Sequence, residues 1–209
     1  MKSSEPDKNC KLCERLYSFR KNNRIRFPDW FNKPVPSFGS QESNILIVGL
    51  APGLQGANKT GRPFTGDYAG KILYETLLKN NLASGFFDEE GKDNLKLHNC
   101  RITNAVKCVP PQNKPLGSEI NNCNNFLIKE IKMLKNLKII ISLGRVAHLG
   151  ILKVFKLQNS KYTFAHGKIH KIDNIVLINS YHCSKYNIFT KRLTVKNFNK
   201  VFKNINSYL

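Results

Sequence analysis

Acidic residues are scarce in this chain. Only 14 Asp and Glu stand against 34 Lys and Arg, a net charge of +20 over 209 residues. So one-sided a balance points to a polyanion, because phosphate contacts release counterions whatever the sequence. Nucleic acid is the first candidate and an anionic membrane surface the second. Long apolar runs are also missing, and the opening residues MKSSEPDKNCK are polar throughout. Neither a membrane span nor a signal peptide is therefore expected, and the chain reads as cytoplasmic. Without an export signal the six cysteines are not expected to form a disulfide framework. There is no internal repeat and no linker, so residues 1–209 read as one domain, with 1–40 as an N-terminal segment. No segment demands a protein partner, and a monomer is expected. The GxxxxGK[ST] spacing is absent too: Lys59 precedes Thr60, but this is no Walker loop.

What is present concentrates between Gly49 and Gly70, GLAPGLQGANKTGRPFTGDYAG, just after the apolar run Ile45–Val48. Six glycines in this stretch let the backbone turn tightly and come close to a ligand. Phe64 lies in the same loop, with Lys59 and Arg62 before it and Asp67 after it. An aromatic face, close backbone and positive charge suit a flat base on a phosphate chain. An ordinary strand-to-helix loop has the same glycines, and Asp67 reads equally as the N-cap of a following helix.

The cysteines carry the second signal. Cys10 and Cys13 form a C-x2-C pair, and Cys108 and Cys123 lie far downstream with fourteen residues between them. Two close ligands and two scattered ones suit a metal centre tying the N-terminus to the body of the domain, and fit structural zinc less well. Cys100 and Cys183 are left over, Cys100 as a small buried hydrophobe.

Strand-like and helix-like runs alternate. Ile45–Leu50, Cys100–Lys107, Ile139–Leu143 and Ile175–Ser180 read as strands. Ala69–Leu82, a segment from a Ser118 N-cap to Leu134, Arg145–Phe155 and Val195–Leu209 read as helices. Ser84–His98 is a surface excursion with no assigned role. Such alternation predicts an α/β fold with a parallel-type sheet covered by helices, whose ligands sit at the carboxyl ends of strands. The segments beginning near Gly49, Asn104 and His182 each follow a strand, so one fold would bring them together. By residue type alone, Asn104 reads first as a backbone cap and His182 as a satisfied surface imidazole.

Several ordered segments resemble the uracil-DNA glycosylase superfamily, and within it the iron–sulfur type-5 enzymes. They are CKLCERL from Cys10, KPVPSFG from Lys33, GLAPG with GANKTGRPFTGD, TNAVKCVPPQNKP from Thr103, SYHCSKYN from Ser180 and FTKRLT from Phe189. The resemblance implies an α/β/α sandwich around a mostly parallel four-stranded sheet. It implies a four-iron four-sulfur cluster on Cys10, Cys13, Cys108 and Cys123, with an architectural role. It also implies base-excision repair of uracil-containing DNA: the base is flipped out and its glycosidic bond hydrolysed, leaving an abasic site. Hypoxanthine and xanthine are further expected substrates. Type-4 specificity and a non-catalytic iron–sulfur nucleic-acid binder are the alternatives, and a redox sensor using Cys183 is a third.

On this reading Gly49, Leu50, Ala51, Pro52 and Gly53 form the first motif of the base pocket and Phe64 stacks on the base. Asn104 reads the uracil edge, and His182 donates a hydrogen bond to the departing O2. Many family members carry a carboxylate or amide in the GxxPG motif to position water. Leu50 and Ala51 cannot do this, as in the type-5 branch, so Asp67 is the nearest group to orient water or stabilise a cationic sugar. Lys59, Arg62, Ser184, Lys185, Tyr186, Lys191 and Arg192 are expected on DNA, with Tyr186 or Ile188 as a wedge. Cys183 stands where related branches often place proline, which leaves the rigidity of the His182 loop open.

Overall fold

Four apolar runs form the parallel part of a sheet. β1 (Ile45–Gly49), β4 (Cys100–Asn104) and β5 (Ile139–Leu143) are buried along their whole length, and β7 (Ile175–Ser180) is buried from Leu177 onward. A strand covered on both faces needs continuous rather than alternating hydrophobicity, which these runs supply. The coordinates, a computed structural model, describe residues 4–203 and 205–209.

Strand order is β4-β1-β5-β7-β6, completed by two short strands, β2 (Ala83–Ser84) and β3 (Lys96–Leu97), that pair as a separate ribbon. The fifth strand of the main sheet, β6 (Ile169–Ile172), extends the expected four. It runs antiparallel to β7 through a two-residue turn at Asp173 and Asn174, with Ile172 opposite Ile175 and Asp173 at φ 49°. Asp tolerates this left-handed conformation, and a two-residue hairpin loop needs it. The exposed, charged face of β6 marks a sheet edge.

Successive residues of the central strands point to opposite faces. Ile45, Ile47, Ile139, Ile141 and Ile178 pack under α3 (Tyr68–Lys79) and α7 (Val195–Lys203). Leu46, Val48, Ile140 and Leu177 pack under α4 (Gly117–Met133) and α5 (Arg145–Val154). The result is the expected α/β/α sandwich. α4 begins one residue before the expected Ser118 cap, and its first turn is closed by Glu119, which accepts the Leu116 N–H at 2.7 Å. The expected final helix stops at Lys203 and is followed by a 3-10 turn at Ile205–Tyr208; Asn204 lies outside the described residues.

Two further helices escape periodicity. α1 (Glu14–Arg26) buries Leu16 as its one apolar side chain. Polar bonds hold it instead: Arg20 and Arg24 both donate to the Lys8 carbonyl, and Arg24 also to that of Asn32. α2 (Ala57–Thr60) is a single turn ended by Gly61 at φ 84°.

Candidate active site

Parallel register sets the centre of the site. Gly49, the last residue of β1, pairs directly with Asn104, the last residue of β4. A Cβ on Gly49 would collide with Asn104 Oδ1 and stand 2.6 Å from the Phe64 ring. Glycine here lets an amide and an aromatic ring meet over the strand ends. Phe64 itself sits at φ 57°, which for a bulky side chain costs about 1–3 kcal/mol and persists only where its surroundings dictate it. Those surroundings are visible. A Cβ on Gly70 would run into the Phe64 carbonyl, and the Tyr74 hydroxyl donates to the Pro63 carbonyl at 2.7 Å.

His182 follows β7 and brings its ring near-parallel to Phe64, with centroids 5.8 Å apart and planes 22° off parallel. No protein group among the described residues hydrogen-bonds its imidazole. Burial pushes its pKa down to about 4, so the ring is neutral at physiological pH. Its loop is rigid without the proline. The buried Cys183 thiol donates to the Ala69 carbonyl at 3.3 Å, and Asn187 Nδ2 donates to the His182 carbonyl at 2.8 Å. Tyr181 is held between His166 and Arg192, at 5.4 and 4.7 Å.

Asp67 does both things its position allows. Its Oδ1 accepts the Gly70 N–H at 2.8 Å and caps α3, while the residue also lines the cleft. The cleft walls raise its pKa through desolvation, against the lowering effect of the cap bond. Asn104 is buried, and its amide has no hydrogen-bond partner among the described residues. These groups share one cleft of about 520 Å³ with Leu50, Ala51, Pro52, Gly53, Ser184 and Lys185. That is room for a nucleotide. Tyr68 and Asn113 line it as well and were not singled out from the sequence. The signal for Asn113 is backbone strain: Gln112 and Asn113 are consecutive residues at φ 56° and 57°.

The expected DNA contacts divide. Lys185, Tyr186, Lys191 and Arg192 are exposed on or just after the short helix α6 (Lys185–Phe189), which Ser184 caps. Phe189, 67% exposed, stands with Tyr186 as an aromatic on that surface, while Ile188 packs toward the core. Lys59 pairs with Glu90 at the surface, 3.1 Å away. Arg62 departs from expectation. Its guanidinium grips Asp93 at 2.6 and 2.7 Å and lies within 5.8 Å of the Phe38, Tyr74 and Phe87 rings. It is a half-buried strut between the Gly-rich loop and the Ser84–His98 excursion. Breaking such a pair strands the other charge, so Arg62→Ala should cost about 3 kcal/mol in chemical denaturation. DNA affinity should stay near wild type in the same variant, whereas Lys185→Ala should weaken it and lower the salt slope by about one.

Cys10, Cys13, Cys108 and Cys123 line one small cavity with Leu16, Arg20 and Phe126. Cys100 and Cys183 lie elsewhere in the core, and burial pushes the Cys100 thiol up to about 12. The Cys183 thiol is raised further still by burial, which makes it a poor redox nucleophile. Among the described residues no group of three or more His, Cys, Asp or Glu side chains is drawn tightly enough together to hold a metal ion. The four thiols ring the cavity instead. Donors face them: the Lys107 N–H lies 3.2 Å from Cys123 Sγ, and Asn122 Nδ2 lies 3.6 Å from Cys13 Sγ. Arg20 Nε is buried there without a partner. A group with anionic sulfur fits that donor set.

No described helix is long and apolar enough to cross a membrane. The sequence pattern of the Uracil DNA glycosylase superfamily matches residues 36–209. A type-5 uracil-DNA glycosylase of Thermus thermophilus is 38% identical over 92% of this chain and 90% of its own length. One from Pyrobaculum aerophilum is 33% identical over 93% and 87%. A type-4 uracil-DNA glycosylase of Archaeoglobus fulgidus is 30% identical over 66% and 62%. With the cleft assembled from the same ordered segments, the chain belongs to the uracil-DNA glycosylase superfamily.

Proposed function

We propose that this chain is a type-5 uracil-DNA glycosylase, working as a cytoplasmic monomer with residues 1–209 as one domain. The observation that carries it is the convergence of Phe64, Asp67, Asn104 and His182 on a single cleft at the carboxyl ends of β1, β4 and β7. The N1–C1′ bond cannot be reached inside a duplex, so the base must leave the stack. Phe64 offers it an aromatic face, and such stacking is worth about 1–3 kcal/mol per base. The Asn104 amide has a donor and an acceptor, matching the amide edge of uracil. As the glycosidic bond breaks, its electron pair stays on the base and charge grows on O2. The neutral His182 ring donates a hydrogen bond there and needs no proton of its own to leave. Leu50 and Ala51 activate no water, so bond breaking leads, and Asp67 stabilises the cationic sugar and orients the water that adds to C1′, whose proton ends on the departed uracil anion. Lys185, Tyr186, Lys191 and Arg192 meet the DNA, with Tyr186 or Phe189 as wedge. Hypoxanthine and xanthine are further substrates.

The four cysteines hold a four-iron four-sulfur cluster on this reading. Cys10, Cys13, Cys108 and Cys123 would be its ligands, and the Lys107 N–H and Asn122 Nδ2 beside the Cys123 and Cys13 sulfurs suit anionic sulfur there. Hydrolysis needs no electrons, so the cluster braces the chain between Asn104 and Asn113.

Duplexes bearing uracil, hypoxanthine, xanthine or thymine, each incubated with excess protein and treated with alkali, test the activity. Strand breaks are expected at uracil, and at the purines more slowly. Binding measured alongside should weaken linearly in log–log form with salt, by about 0.9 per phosphate contact. Salt-sensitive binding with no abasic product from any duplex would make the chain a non-catalytic binder.

A further inference from the structure

The cysteine cavity offers a buried cation whose remaining donor has nothing in the protein to bond. Arg20 is 1% exposed. Its Nη1 donates to the Lys8 carbonyl at 2.9 Å and its Nη2 to the Cys10 carbonyl at 2.5 Å. These bonds fix the guanidinium and the backbone of the first cysteine together. Nε is left buried and unpartnered. Such a donor is costly unless something outside the protein satisfies it. Around it the cavity has apolar walls at Pro6, Leu12, Leu16 and Phe126, and otherwise the four cysteines. Sulfur is the acceptor chemistry on hand.

Asn122 approaches from the other side. Its Nδ2 donates to the Leu12 carbonyl at 2.8 Å, which settles the amide orientation, and the same nitrogen reaches Cys13 Sγ at 3.6 Å. The Lys107 N–H completes the set on Cys123. Hydrogen bonds to the sulfurs of an iron–sulfur centre stabilise its more negative form and raise its potential.

We infer that Arg20 and Asn122 are tuning residues of the cysteine centre: Arg20 Nε and Asn122 Nδ2 donate to cluster sulfur, raise its reduction potential and slow its loss. This rests on the proposal that the four cysteines hold an iron–sulfur cluster. Asn122 is exposed, so removing its side chain costs the fold little. Arg20→Lys keeps the cation but removes the Nε–H together with the guanidinium fork on the Lys8 and Cys10 carbonyls, so Asn122→Ala is the cleaner comparison.

Holoprotein purified anaerobically as wild type, Arg20→Lys and Asn122→Ala would be compared by film voltammetry, by iron release to a chelator and by thermal melting. Both variants should start with wild-type iron content, show a more negative potential and release iron about tenfold faster. Asn122→Ala should do so with an unchanged melting temperature. Iron-loaded variants with the wild-type potential would overturn the inference while leaving the cluster in place. Faster release with an unmoved potential would reduce both residues to packing, and overturn it equally. A wild type without iron would overturn the cluster reading and this inference together.

Discussion

His182→Ala should lower single-turnover excision from a uracil duplex by about 10²–10³, the usual loss for one donor to a developing oxyanion. The variant should still fold and bind DNA, because the imidazole makes no hydrogen bond that the core depends on. Asn104→Ala should fall as well, and should lose discrimination between uracil and other bases. Asp67→Asn is the informative comparison. An amide can still accept the Gly70 N–H, so α3 keeps its cap while the charge disappears. If departure of the base leads, this variant should be milder than His182→Ala. A larger loss for Asp67→Asn, with folding and binding intact, would instead make Asp67 the base of an associative attack. pH gives a second readout. With the His182 pKa pushed down to about 4 by burial, the wild-type rate should show no His182-dependent inflection near 6.5. An inflection there that vanishes in His182→Ala would mean that the imidazole acts as a titrating acid.

How much of this was legible in the sequence follows from where the stabilising interactions lie. Strands buried on both faces announce themselves as apolar runs, so β1, β4, β5 and β7 are readable, and with them the three segments that build the cleft. α1 is not, because arginines bonding to carbonyls hold it and leave no periodic stripe. β6 is short, half polar and at an edge, and only the Asp173–Asn174 turn betrays it. Arg62 misleads for a related reason. Its position in a basic, glycine-rich loop suggests phosphate, but Asp93 lies 31 residues away in sequence. A side chain's charge is local information, whereas its partner is fixed by the fold. Cys183 shows the same limit. A cysteine where related branches often place proline leaves the rigidity of the loop open in the sequence, and only packing shows the thiol tied to Ala69.

Cys108→Ser should have the largest effect on stability. Cys108 lies four residues past Asn104, the end of β4, and precedes the turn whose Gln112 and Asn113 have positive φ and which carries Asn113 into the cleft. Arg15 Nη2 donates to the Lys114 carbonyl at the far end of that turn, 3.0 Å away, and pairs with Glu119. The turn is thus pinned at one end by an ion pair and at the other by the cysteine centre. Losing one of four ligands should empty the site, leaving three thiols and the Arg20 cation facing a cavity with apolar walls. A loss of several kcal/mol is expected where a metal centre and an unpaired buried charge are both involved, about 10 °C or more in melting temperature at this size. Iron content and visible absorbance should fall together, and uracil excision with them, through displacement of Asn104 and Asn113. Cys100→Ser is the control. Its thiol donates to the Leu82 carbonyl at 3.3 Å, a bond a hydroxyl can also make, so iron and activity should be retained. If Cys108→Ser keeps its iron and melts with the wild type, the centre does not brace this side of the cleft. If the wild type binds stoichiometric zinc and is colourless, the cubane is the wrong centre.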